Sequence, residues 1–187
     1  MDQRRPVLGE SAVLLALAHP VRQDVLNYLM SAGPATASVC ARAVGDNPSN
    51  CSYHLRVLAR HGLVEADESG DGRKRPWRAT VTGFSVEDAD PGSSNSAGAA
   101  LRAASLQLDQ RLARDYLGGR ENGPAEWRAV DAYSKYTLRA TPRELSELID
   151  QLDALIRPLI AATRGDGPPD AELVHVGLQA FPRLGPS

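Results

Sequence analysis

Apolar residues recur at helical spacing through the first third of the chain and then change to alternation. Val13, Leu14, Leu17 and Ala18 predict a first helix that stops at His19-Pro20. Pro20 suits the first position of a second helix, where its missing N–H is not needed, and Val21, Val25, Leu26 and Leu29 form that helix's buried stripe as far as Gly33-Pro34. Thr36 predicts the N-cap of a third helix carrying Val39, Cys40 and Val44, closed by Gly45. Asn47-Pro48 repeats the start signal for a fourth helix, 48–60, whose apolar side is Cys51, Leu55 and Leu58. Only Gly45 to Asn47 separate the third and fourth helices, which is the spacing of a helix-turn-helix pair. Beyond Gly62, "LVEAD" and "RKRPWRATV" predict two strands around the turn Gly70-Asp71-Gly72, a hairpin within 64–80.

The second half has a different texture. "EDADPGSSNSAGAA", residues 87–100, nearly lacks large apolar side chains and reads as a linker or mobile loop. Leu101, Ala104, Leu108 and Leu112 mark an amphipathic helix that ends near Gly118-Gly119. "AVDAYSKYTLR" alternates and predicts a strand with Val130, Ala132, Ser134, Tyr136 and Leu138 on one face. Thr141-Pro142-Arg143-Glu144 is a capping box with proline at the first helical position. Leu145 to Ile160 then keep 3 and 4 spacing to about Arg164, with Pro158 expected to kink the last turns. "ELVHVGLQAF" alternates Val174, Val176, Leu178 and Ala180 as a final strand, so the end of the chain is a strand-helix-strand pattern. The expected fold is α+β and mainly helical: a unit of helices and hairpin over 1–84, a linker over 85–100, and a helix plus strand-helix-strand region over 101–187.

Totals sharpen this picture in three places. At 42% hydrophobic and 24% charged residues in 187, the chain is ordinary globular protein, and the absence of an apolar run of the ~20 residues that cross a bilayer makes a cytoplasmic location, with no membrane partner, the expectation. The net charge of −2 is unevenly spread. Residues 1–84 hold 10 Lys+Arg against 8 Asp+Glu, with Arg73, Lys74, Arg75 and Arg78 clustered on the hairpin, whereas residues 85–187 hold 11 against 15. Two cysteines, Cys40 and Cys51, are too few for a disulfide framework or a four-cysteine zinc site. The four histidines, His19, His54, His61 and His175, lack ligand spacing, so neither a metal nor a cofactor is expected.

A helix-turn-helix followed by a hairpin is a winged helix. The segments "LAHPVR", "YHLRVLARHGLV" and the basic hairpin flank ending in Trp77 resemble the ArsR type of bacterial transcriptional regulator over about residues 13–82. "LRATPRELSELIDQLDALIRP" with "VHVGLQAFPR" is similar to an extension found on a subset of these regulators. The resemblance implies a repressor that binds double-stranded DNA as a homodimer on a palindromic operator. Metal-sensing members hold a cysteine pair at the start of the third helix, where this chain has Ala35, Thr36, Ala37 and Ser38. That implies no metal site here.

Within this frame the polar residues of the fourth helix acquire a role. Ser49, Asn50, Ser52, Tyr53 and Arg56 lie off its apolar side at the end that enters the major groove in helix-turn-helix proteins. Asn matches adenine at two atoms and Arg matches guanine, while Ser is adaptable. Arg73, Lys74 and Arg75 are placed for phosphate contact by the wing, with a solubilised hairpin edge as the bland alternative. Cys51, and Cys40 with it, reads as core filling, against a less favoured thiol-responsive role through Cys51. The first helix and the 101–112 helix are candidates for the dimer seam, or for simple cover of the hairpin. Trp127, Tyr133, Tyr136 and His175 are candidates for an effector pocket, so an unidentified small molecule is a third candidate partner. A winged helix that binds only protein would present apolar residues on its fourth helix, and this one does not. An enzyme would need a nucleotide or cofactor loop after residue 85, and none follows a strand.

Overall fold

The computed structural model describes residues 7–8, 10–67, 75–86, 96–163 and 170–183. The elements run β1 (Val7–Leu8), α1 (Ser11–Leu17), α2 (Pro20–Ala32), α3 (Ala37–Val44), α4 (Pro48–Arg60), β2 (Val64–Ala66), β3 (Trp77–Ala79), β4 (Ser85–Val86), α5 (Ser96–Gly119), α6 (Ala125–Val130) and α7 (Pro142–Thr163). A single 3-10 turn, Arg120–Asn122, joins α5 to α6.

Local chemistry starts and stops these helices as the sequence predicts. The Thr36 hydroxyl accepts the Val39 N–H and opens α3. The Asn47 side chain accepts the Asn50 N–H at 2.8 Å, and Pro48 follows it at the first position of α4. Between them Gly45 adopts φ 69°, a left-handed conformation that glycine enters at little cost, and this lets α3 end and α4 begin within three residues.

β2 and β3 pair antiparallel in the register Val64 to Ala79, Glu65 to Arg78 and Ala66 to Trp77. Trp77 also exchanges backbone hydrogen bonds with Ala35, at 2.9 and 2.8 Å, which ties the hairpin to the segment just before α3. A second, parallel pair joins β1 to β4. Helix-turn-helix and hairpin together make a winged helix.

The core is formed by Leu14, Leu17, Val25, Leu26, Leu29, Cys40, Leu55, Leu58 and Val64, with Ala97 and Leu101 of α5. This corrects two expectations. Helix α5 begins at Ser96, not Leu101, and Ser85–Val86 is a strand, so the expected linker over 85–100 is helix or strand wherever the structure describes it. Ala97 and Gly98 are buried: their small size, which reads as linker composition, lets α5 approach α1 and α2 closely. Gln23 then reaches Ser105 at 3.3 Å, and Arg111 pairs with Asp24.

In the C-terminal region α7 forms, opened by the expected capping box. The Thr141 N–H donates to Glu144 Oε2 at 2.8 Å and the Glu144 N–H donates to Thr141 Oγ1 at 3.3 Å. The helix continues through Pro158. The segments expected as flanking strands, 129–139 and 172–181, form no ladder with each other or with the described sheets, and the first two residues of the former, Ala129 and Val130, close α6. An alternating sequence supplies strand faces, whereas a strand also needs an edge to pair with, and among the described residues neither segment is paired with one. No described helix is long and apolar enough to cross a membrane.

Candidate nucleic-acid interface

Helix α4 divides into two faces. Cys51, His54, Leu55, Val57 and Leu58 are buried, and all but His54 are apolar. Ser49, Asn50, Tyr53 and Arg56 are exposed, Tyr53 to 54%, and Ser52 is half-buried at the border. Helical spacing produces this division, since residues three and four apart share a side. Among the described residues Arg56 makes no hydrogen bond or ion pair. The Asn50 amide is engaged: its Nδ2 donates to Asp46 at 2.6 Å, and Asp46 also accepts the Asn47 N–H at 2.7 Å.

The wing meets this face through Trp77. Tyr53, Arg56, Ala59, Arg60 and Trp77 line a shallow, open groove between α4 and β3. Arg60 and Trp77 were not among the residues expected at the site. Arg60 was legible, because it lies four residues from Arg56 and seven from Tyr53 on one helical face. Trp77 needed the hairpin register to place it.

The expected basic patch on the wing is less concentrated than its sequence suggests. Arg73 and Lys74 lie outside the described residues. Arg75 is exposed, next to Pro76-Trp77. Arg78 pairs with its cross-strand partner Glu65 at 2.6 Å, so that charge is largely balanced.

Both thiols are fully buried. Burial first, and then the neighbouring Cys51, push the Cys40 thiol up to about 11, and burial raises Cys51 as well. The reactive form of cysteine is the thiolate, so both behave as small apolar core residues. Among the described residues no group of three or more His, Cys, Asp or Glu side chains is placed to hold a metal ion.

The four effector candidates are not gathered into a pocket. Tyr133 and Tyr136 project into solvent, Trp127 is half-buried in α6, and His175 Nε2 lies 2.9 Å from Asp109 of α5.

Residues 17–66, from the end of α1 through β2, match the family model described as "Helix-turn-helix domain". The N-terminal part of this chain is a winged helix-turn-helix. Among solved structures, the winged helix-turn-helix is similar to the homodimeric DNA-binding domain (fragment 1–100) of Mb0332 from Mycobacterium bovis, described as a possible ArsR-family transcriptional regulator. The two are 25% identical, the match covers 54% of this chain and 79% of that one, and the TM-score is 0.34. No curated protein matches the chain.

Proposed function

We propose that the protein is a DNA-binding transcription regulator that reads sequence with α4 and grips the backbone with its wing. The observation that carries this reading is the exposed row Ser49, Asn50, Tyr53 and Arg56 on a helix whose opposite side is locked into the core. Such a helix presents hydrogen-bonding groups at a fixed angle, and its width suits the major groove. Arg60 and Trp77 extend the surface toward the wing, where Arg75, with Arg73 and Lys74 beside it in sequence, supplies charge for phosphates.

The regulator acts as a homodimer on a palindromic operator whose half-sites lie ~34–36 Å apart, and it represses by occluding a promoter. The role is non-catalytic and the location cytoplasmic. Selection of bound duplexes from a random pool, repeated over a salt series, tests the reading. An enriched inverted repeat whose binding weakens steeply with salt is expected; failure to enrich any sequence would overturn it.

A further inference from the structure

The C-terminal arm is built inside out. In the segment 171–183, His175 and Gln179 both bond to the Asp109 carboxylate at 2.9 Å, and Gly177 lies directly against that carboxylate. Alternate residues 175, 177 and 179 therefore face α5, the period of an extended chain. The intervening side chains Val174, Val176 and Leu178 are turned to solvent, Val176 to 64%. A side chain at 177 would crowd the contact, since a Cβ there would sit 3.1 Å from Asp109 Oδ2. Polar positions thus hold the segment to the body and apolar positions look outward.

The same inversion occurs at the other end of the arm. Tyr116 and Arg120 hold the Asp131 carboxylate, at 2.8 and 2.7 Å, fixing the chain as it leaves α6. A few residues on, Tyr136 is 83% exposed. In α7, Leu145, Ile149, Leu152 and Ile156 are half-buried, yet Leu155, at 73%, and Leu159 are left open. Most of the exposed large hydrophobic side chains among the described residues lie between Val130 and Phe181.

We propose that this arm, residues 130–163 with 170–183, is completed by the same arm of a second copy of the chain, and that the two arms form a seam of the dimer. The inference rests on the dimeric reading above and assigns the surface that makes the dimer. Area is the first argument. Monomers rarely expose apolar patches beyond ~300–600 Å². Side chains this large offer on the order of 100 Å² each when so exposed, and together they reach the roughly 800 Å² per partner of a standard interface.

Symmetry is the second argument. An alternating segment with an open backbone edge presents the same apolar face to an antiparallel copy of itself, so a two-fold axis pairs both backbone and side chains. Leu148, Leu152, Leu155 and Leu159 recur at spacings of 4, 3 and 4, the step of a helix seam that accepts an identical helix. Charge is the third. Residues 85–187 carry 11 Lys+Arg against 15 Asp+Glu, which disfavours nucleic acid or an anionic membrane as the occupant.

The test uses the full chain. Light scattering and sedimentation over a dilution series read the mass, and hydrogen exchange on the same samples reads the backbone of 131–140 and 171–183. The unaltered protein is expected to be a dimer whose two segments lose protection as it dissociates. Val176→Asp with Leu155→Glu is expected to weaken the dimer by about 100-fold or more while the winged helix melts unchanged. A monomer at all concentrations, a dimer that survives the substitutions, or segment protection indifferent to dilution would each overturn the proposal. Should the double variant misfold, exchange in the unaltered protein decides. A duplex carrying one half-site separates the two readings: a monomeric variant that still binds it weakly leaves the DNA reading intact, and the fate of the arm is read from mass alone.

Discussion

The imidazoles of His19 and His54 face each other at the junction of α2 and α4, with ring centroids 4.6 Å apart and planes inclined by 43°. Among the described residues Nδ1 of each is enclosed without a hydrogen-bond partner, as is Nε of Arg22, and His54 is only 3% exposed. Tyr53 packs its edge on His54. Burial is the main cause that lowers both pKa values; Arg22 lowers them further, His19 adds to the effect on His54, and Asp46 opposes it.

A group whose folded pKa is depressed in this way is a cation only at a cost to the fold. The unfolded chain binds the proton more readily, so the stability from these two rings is present above the ordinary histidine pKa of about 6.5 and is lost as pH falls below it. The melting temperature is expected to be lower at about pH 5.5 than at about pH 7.5. His54→Phe should flatten that dependence. Thermal denaturation across this range, for both proteins, checks the sign.

Asn50→Ala and Arg56→Ala should relax sequence preference by ~1–3 kcal/mol each at one base pair, leaving binding to unrelated DNA nearly unchanged. Arg75→Ala should weaken binding to all sequences and lower the salt slope by about 1. Anisotropy titrations on a selected duplex and its single-base variants, at two salt concentrations, separate the two behaviours.

The cap of α4 provides a test of how this helix is held. Asn47 Oδ1 accepts the Asn50 N–H, and removing that acceptor with Asn47→Ala should cost about 1 kcal/mol of stability. Asn47→Asp keeps an acceptor and should restore most of it. Urea denaturation of the three proteins gives the comparison.

Leu101 reports whether α5 belongs to the winged helix. It is fully buried in the same core as Leu14 and Leu26, so Leu101→Ala should destabilise the whole domain by ~2–5 kcal/mol. A loss confined to the second half of the chain, with the melting of α1 to α4 unchanged, would contradict this placement.

The thiols should be silent in the native state. With Cys40 and Cys51 buried and their pKa values raised, a thiol reagent should react only at the rate of unfolding. Rapid modification of Cys51 in the folded protein would revive a thiol-responsive role.

The winged helix was legible because its signals are local. Thr36, Gly45, Asn47 and Pro48 mark helix boundaries within a few residues, and the polar row on α4 follows from spacing alone. The groove at Trp77 was not legible, since it depends on the pairing of Trp77 with both Ala66 and Ala35. The start of α5 was missed because Ala97 and Gly98 are small for packing, and small residues also compose linkers. The two C-terminal strands were expected from alternation at Val130 to Leu138 and Val174 to Ala180. Alternation describes faces and carries no information on whether an edge is available within the same chain.

The bond from Asn50 to Asp46 sets a condition on the proposed engagement of DNA by α4. In the proposed complex the amide is not waiting empty for a base. On that reading an adenine has to displace a carboxylate already seated, while a mismatched base leaves the amide in its resting partnership with Asp46. In the proposed complex the free protein thus holds its own competitor against weak sites, and discrimination begins before any wrong contact is made.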